Sequence, residues 1–354
     1  MTFTVLNVAY SLAVVGPNAV GGAEQVLARI DRALVDGGAT SIVVSCTGST
    51  PAGLLCATPR ASGVLDEAAC AAARRAHADA IARTLDRHGV DLVHMHGVDF
   101  HSYLPDAGVP VLATLHLAPG CYPRAVFESA RPGTYLNCVS RAQERTCPAS
   151  PALVATIENG IDIPEVVRRG AGDYVMALGR ICPEKGFHIA MDAARRAGVP
   201  MLLAGQVFPY PEHERYFTDL ILPRLGDRCG FVGAVAGDQK THMLARARCV
   251  LVPSLVAETS SLVAMEALAC GTPVIAFDVG ALPELVEHGV TGFIVRDERE
   301  MADAIIAASA LDPEACRAAA VERFSSTRMV REYLALYRAL AQGAGAADRS
   351  RCVA

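Results

Sequence analysis

The sequence predicts an α/β protein built from two doubly wound parallel sheets, and three observations predict it. Short apolar runs rich in β-branched residues recur along the chain with helical patterns between several of them, the alternation that builds parallel sheets covered on both faces. The 354 residues exceed one ordinary hydrophobic core and fit two domains of usual size, with a cleft expected between them. A stretch at 159–172, carrying Gly160, Pro164, Gly170 and Gly172, separates two series of such runs and reads as a linker.

In chain order, a buried strand is expected over residues 2–10, then a glycine-punctuated loop and an amphipathic helix over 23–35. Further strands of the first series are expected at 40–45, 91–96, 110–116, 135–140 and 153–157. The second series is expected at 174–178, 200–204, 229–233, 249–253, 273–277 and 292–295, with helices between. A helix is expected over 313–340, fraying beyond it where Gly343 and Gly345 precede the charged end. The expected domains are 1–163, 164–325 and a closing segment 326–354.

Composition narrows the function classes. Hydrophobic residues at 52% and charged residues at 19% exclude a disordered chain. A net charge of −5 without a basic run gives no sign of a nucleic-acid surface or a polybasic membrane patch, so small-molecule partners are expected. The first 23 residues carry no charge, yet Asn7, Ser11, Gly16, Pro17 and Asn18 interrupt them and no basic residue precedes the apolar part. A first strand in a cytoplasmic protein is therefore expected, not a signal peptide or a transmembrane segment. The twelve cysteines lie far apart, with no C-x-x-C pair and no histidine at zinc-site spacing, so they read as small core residues in a reducing compartment and no metal site is expected.

In doubly wound sheets ligands sit beyond the carboxyl ends of the strands, which directs attention to the loops that follow them. The run 253–283 is the most informative. Residues 262–270 read as an almost wholly apolar helix with a lone Glu266 at its middle, a carboxylate that costs several kcal/mol to bury without a partner. Two partners fit: the vicinal hydroxyls of a ribose, or a structural salt bridge to a distant arginine. Thr259, Ser260, Ser261 and Leu262 stand at the helix start, where hydroxyls cap the first turn and free N–H groups favour an anion. Glu258 lies just before that helix, either aimed at sugar hydroxyls or as an ordinary surface carboxylate. In the loop 179–186, Arg180 and Lys185 follow a strand five residues apart, either to neutralise a diphosphate whose charge grows as a glycosidic bond breaks or to pair with nearby acids.

These residues resemble the retaining family-4 glycosyltransferases, whose E-x(7)-E motif is matched by Glu258 and Glu266, followed by Ala267, Ala269, Gly271, Pro273, Val274, Ile275 and Ala276. Gly21-Gly22-Ala23-Glu24, His116, Asn159-Gly160-Ile161-Asp162 and the Gly179 to Gly186 loop match in the family's order, so the resemblance spans nearly the whole chain. It implies a GT-B architecture, two Rossmann-like domains facing across a cleft, with acceptor mainly on the N-terminal side, donor mainly on the C-terminal side, and a last helix that crosses back to the first domain. It also implies a UDP- or GDP-sugar as co-substrate and no cofactor or metal.

Residue by residue, the resemblance implies that Arg180 and Lys185 hold the diphosphate, Glu258 contacts the donor sugar, Ser260, Ser261 and Leu262 offer groups to the donor, and Glu266 binds ribose. The Gly21 and Gly22 backbone closes over phosphate and sugar, Gly205 joins the donor-binding set, and His116 lies beside the reacting carbon. His96 and Asn159 are assigned to the acceptor side. The family has aromatic-Gly where Ser260 and Ser261 stand, which leaves the sugar unassigned. A homodimer is compatible with these assignments.

Gly16, Gly21 and Gly22 do not have G-x-G-x-x-G spacing, and no acidic residue ends the second strand, so NAD binding is not expected. His94 and His96 alternate along a strand and are expected on opposite faces, His94 inside and His96 toward an acceptor. A covalent route needs a carboxylate on the sugar's reactive face, and none is evident; the resemblance implies same-face departure and attack. The alternatives are a hydrolase or epimerase of nucleotide sugars with the same fold, and a non-catalytic nucleotide-sugar-binding protein.

Overall fold

A computed structural model describes residues 3–61, 65–128, 131–167 and 172–351. The chain forms two compact units, residues 1–159 with 327–354, and residues 160–326.

The first unit contains seven strands: β1 (Thr4–Val8), β2 (Thr40–Cys46), β3 (Leu54–Thr58), β4 (Leu92–Met95), β5 (Val111–Leu115), β6 (Thr134–Cys138) and β7 (Leu153–Thr156). They pair in parallel in the order β3-β2-β1-β4-β5-β6-β7, with α1 (Gly22–Asp36), α2 (Glu67–Arg87) and α3 (Arg141–Thr146) among their crossovers. The second unit has six parallel strands, β8 (Tyr174–Leu178), β9 (Met201–Ala204), β10 (Cys229–Phe231), β11 (Ala247–Val252), β12 (Val274–Phe277) and β13 (Gly292–Val295), in the order β10-β9-β8-β11-β12-β13. Its helices are α4 (Phe187–Ala197), α5 (Pro211–Tyr216), α6 (Gly237–Arg246), α7 (Leu262–Ala269), α8 (Leu282–Leu285), α9 (Glu298–Ala307) and α10 (Pro313–Arg323). The last helix, α11 (Ser326–Arg351), belongs almost wholly to the first unit.

Two doubly wound parallel sheets are therefore what the chain forms. Their central strands are apolar because helices cover both faces, so every residue of β1, β5 and β12 is buried. One core gathers Leu6, Val8, Ile42, Val93 and Leu136 against Ala80 and Ile81 of α2; the other gathers Val175, Leu203, Leu251 and Ile275 against Ala190 and Met191 of α4 and Met301 and Ile305 of α9.

Three details differ from the sequence expectation. The edge strand β3 was not anticipated, since Leu54 and Leu55 are exposed and their short run between Gly53 and Pro59 lacks a buried-strand pattern. The expected helix over 313–340 is two helices. Between α10 and α11 the Phe324 carbonyl accepts from Ile161 N–H at 2.7 Å and Ser326 N–H donates to the Ile161 carbonyl at 2.7 Å, a parallel bridge that interrupts the helical ladder. And α11 continues to Arg351 instead of fraying after residue 340. Among the described residues, no helix is long and apolar enough to cross a membrane.

One buried charge ties a long loop to the first sheet. Asp31 of α1 is 1% exposed, and its carboxylate accepts from Ala52 N–H at 2.6 Å and Gly53 N–H at 3.1 Å, which holds the chain entering β3. Asp31→Ala leaves both donors without their acceptor, so we expect an unfolding free-energy loss of about 2–4 kcal/mol in urea titrations; a loss under about 0.5 kcal/mol would contradict this role.

Candidate functional site

In the second sheet the strand order reverses between β8 and β11, which are neighbours although β9 and β10 intervene in sequence. Loops leaving the carboxyl ends of such a pair diverge and form a ligand crevice. Here they are the loop 179–186, with Arg180 and Lys185, and the loop 253–261, with Glu258 and Ser260.

The two loops are joined by backbone before any side chain acts. Leu255 N–H donates to the Glu184 carbonyl at 2.8 Å. Gly186, at φ +62°, lies so close to loop 253–261 that a Cβ there would stand 2.2 Å from the Pro253 carbonyl oxygen. Gly280, at φ +58°, faces Glu258 in the same way, its notional Cβ 2.3 Å from the Glu258 carbonyl oxygen, while Ala281 N–H donates to that oxygen at 2.7 Å. Only glycine adopts these backbone angles without strain and admits so close a neighbour.

On this frame Lys185 Nζ sits 2.5 Å from Glu258 Oε1, and the buried Ser254 hydroxyl donates to the same oxygen. The Glu258 side chain is 12% exposed, which rules out the ordinary surface carboxylate. Arg180 is exposed, on the loop whose Ile181 N–H is held by the Gln206 carbonyl at 3.0 Å. Gly205 N–H donates to the Gly233 carbonyl at 2.8 Å at the end of β9. At the start of α7, Ser261 Oγ accepts from Ala264 N–H at 3.3 Å as the cap, and Leu262 opens the helix. Ser260 Oγ is buried with no hydrogen-bond partner, the orphaned hydroxyl of the loop. Glu266, at mid-helix among buried Met265, Ala267 and Leu268, meets Lys240 Nζ of α6 at 2.7 Å. Of the two kinds of partner considered for it, the structure shows a salt bridge, to Lys240.

Sequence reasoning missed Ser254, Lys240 and Gly280. A signal for one of them was present: Lys185 and Lys240 are the only lysines in a chain whose other basic residues are arginine, and each meets one of the two motif glutamates.

In the first unit the order likewise reverses beside β1 and β4. Gly21 is the N-cap of α1 and Gly22 its first residue, with the Glu24 carboxylate folded over Gly21, whose notional Cβ would lie 1.8 Å from Glu24 Oε2. His94, His96 and His116 form one cluster, which corrects the expectation that His94 and His96 face opposite sides. Because β4 ends at Met95, His96 leaves the strand alternation, and its ring lies 3.9 Å from that of His94. Thr114 Oγ1 donates to Asn137 Oδ1 at 2.7 Å, so His94 Nε2, 2.7 Å from that same hydroxyl, is the N–H donor, and His94 Nδ1 accepts from Tyr337 at 2.6 Å. Tyr333, also of α11, receives Asn137 Nδ2 at 3.1 Å. His96 Nδ1 meets His116 Nε2 at 3.1 Å, a contact that requires one shared proton, while His96 Nε2 is buried without a partner. Asn159 is buried, its carbonyl held by Arg328 at 2.9 Å and its Oδ1 without a partner.

Burial, chiefly, favours the neutral imidazoles. It holds His116 down to about 4 and His94 and His96 well below the usual range, with the neighbouring rings adding to the effect in those two. Two surface depressions, one lined by Leu54, Cys56 and Arg83 and one by Met191, Arg224 and Cys229, contain none of the candidate site residues.

The model of the family Glycosyl transferases group 1 matches residues 172–310. The D-inositol 3-phosphate glycosyltransferase of Mycolicibacterium smegmatis is 36% identical over 175 residues, 46% of this chain and 39% of that protein, so the match spans well under half the relative's length. Among solved structures, AviGT4, a glycosyltransferase involved in avilamycin A biosynthesis, superposes with a TM-score of 0.73 at 23% identity over 96% of this chain and 98% of its own. Anabaena HepE in complex with UDP and glucose superposes with a TM-score of 0.71 at 20% identity over 94% and 98%.

The depressed histidines make stability depend on pH with a definite sign. Each takes up a proton near 6.5 in the unfolded chain and only at much lower pH in the folded one, so stability is full above 6.5 and falls as pH drops toward 4. The expected slope is about 1.4 kcal/mol per pH unit for each such histidine, and His77, lowered to about 4 by burial, adds in the same direction. Urea midpoints that stay constant between pH 7 and 5 would contradict this reading.

Proposed function

We propose, from the match of residues 172–310 to the model of glycosyl transferases group 1, that the protein transfers a sugar from a nucleotide-sugar donor to a hydroxyl-bearing acceptor. Its two Rossmann-like units have the GT-B fold of the solved glycosyltransferases. One observation carries the proposal. At the switch point of the second sheet, a half-buried ammonium and carboxylate, Lys185 and Glu258, are fixed by two glycine-dependent backbone contacts beside a second cation, Arg180, and an orphaned hydroxyl, Ser260.

A departing nucleoside diphosphate gains negative charge as the glycosidic bond breaks, so fixed cations stabilise the transition state more than the ground state. Lys185 and Arg180 take that role, with the diphosphate competing with Glu258 for the Lys185 ammonium. Charge neutralisation by two side chains is the basis for proposing a reaction that needs no metal. Released from Lys185, Glu258 can accept from donor-sugar hydroxyls, while Glu266, steadied by Lys240, accepts from the ribose. The Ser260 hydroxyl and the first N–H groups of α7 offer donors to the same ligand.

A UDP-sugar is the favoured donor and a GDP-sugar the second choice, because the HepE structure named above holds UDP and glucose. A polyol-type hydroxyl acceptor follows the relative that acts on D-inositol 3-phosphate. His116 and His96, neutral near pH 7, contact sugar or acceptor by hydrogen bonds and not as cations. We propose retention of configuration through same-face attack, with Glu258 held by the Ser254 hydroxyl and the donor-sugar hydroxyls and not acting as a nucleophile. A hydrolase would release nucleoside diphosphate without an acceptor, and a binding protein would release none.

Lys185→Ala and Arg180→Ala are each expected to lower acceptor-dependent release of nucleoside diphosphate by roughly a hundredfold or more, comparable with the loss of one fixed transition-state donor. The check is a coupled nucleotide-release assay with UDP- and GDP-sugars. Near-normal turnover in either variant, or release that ignores the acceptor, overturns the assignment.

A further inference from the structure

The loop 179–186 carries a second set of groups that the proposed transfer does not use. Cys182 is fully buried, Glu184 reaches solvent, and His213 at the start of α5 is 4% exposed. The Cys182 sulfur, a Glu184 carboxylate oxygen and a His213 ring nitrogen lie within 4.8 Å of one another, although 31 positions separate Cys182 from His213. That separation is why spacing along the sequence gave no hint of a metal set. His213 Nδ1 is buried without any hydrogen-bond partner, a cost that a core histidine ordinarily avoids. The neighbouring Glu212 does not remove it: its nearest oxygen is 3.9 Å from Nε2, beyond hydrogen-bond reach.

We propose that Cys182, Glu184 and His213 form a site for a thiophilic divalent cation of the zinc type, with the fourth position open. One thiolate, one imidazole and one carboxylate match the borderline-soft preference of zinc. Ligand atoms around a tetrahedral zinc stand about 3.6 Å apart, given bond lengths of about 2.0–2.3 Å, so the three groups need to close by roughly an ångström. The site lies one residue from Lys185 and does not depend on the transfer reaction; its effect is to clamp the loop 179–186 to α5.

The test is titration of the full-length protein with Co²⁺ as a spectroscopic probe, followed by displacement with Zn²⁺. One equivalent is expected to produce a thiolate-to-cobalt charge-transfer band. Cys182→Ser should abolish the band and His213→Gln should weaken binding at least tenfold, whereas Cys121→Ser, at an exposed thiol, should leave both unchanged. Absence of the band in the wild-type protein, its persistence in Cys182→Ser, or binding that never saturates at one equivalent overturns the proposal. Should the variants fail to fold, X-ray absorption of the zinc-loaded wild type decides: one sulfur ligand supports the site, and a shell without sulfur contradicts it.

Discussion

The contact on which the second unit's site depends is the approach of Gly186 to the Pro253 carbonyl, where a side chain of any kind would collide. It brings the loops after β8 and β11 together closely enough for Leu255 to bond the Glu184 carbonyl and for Lys185 to reach Glu258. Gly280 performs the same service from the far side by admitting the Glu258 backbone. A flexible lysine held at a half-buried carboxylate is restricted before any ligand arrives, which reduces the ordering cost of binding. The pairing also explains why an anionic ligand has to compete: the ammonium already has one oxygen partner.

The first unit shows a different solution to placing polar groups at strand ends. Tyr333 and Tyr337 of α11 are fully buried and bond to Thr114, Asn137 and His94, so the last helix is fixed by a polar network as well as by packing. With Thr114 donating to Asn137, each shared proton among these groups has an assigned direction, the condition under which a buried network stiffens a structure instead of burdening it. His96 lies between His94 and His116 at the edge of that network, tilted against the first ring and stacked on the second, and its unpartnered Nε2 is where the order ends.

Much of this was legible in the sequence because period and punctuation are local. The apolar runs of β1, β5, β8 and β12 mark buried parallel strands, and Ser261 before an apolar run marks the start of α7. What was not legible depends on distance in the chain. Cys182 and His213, or Glu266 and Lys240, come together only when crossovers are folded, and no spacing rule reports them. The break between α10 and α11 was hidden for the same reason, since its cause is Ile161, more than 160 residues earlier. His96 was misplaced by a boundary: alternation predicts opposite faces only while the strand lasts, and β4 stops one residue short. The scarcity of lysine is readable, since Lys185 and Lys240 are the only two in the chain, but the glutamate that each one meets is set by the fold.

The account rests on Lys185 being the group that a diphosphate takes over from Glu258, and calorimetric titration of UDP and GDP tests it most directly. One of the two nucleotides should bind the wild-type protein, Lys185→Met should weaken it at least tenfold, about 1.4 kcal/mol, and Glu258→Gln, which removes the competing charge, should not weaken it. Equal affinity in Lys185→Met, or a loss in Glu258→Gln as large as that in Lys185→Met, would contradict the account.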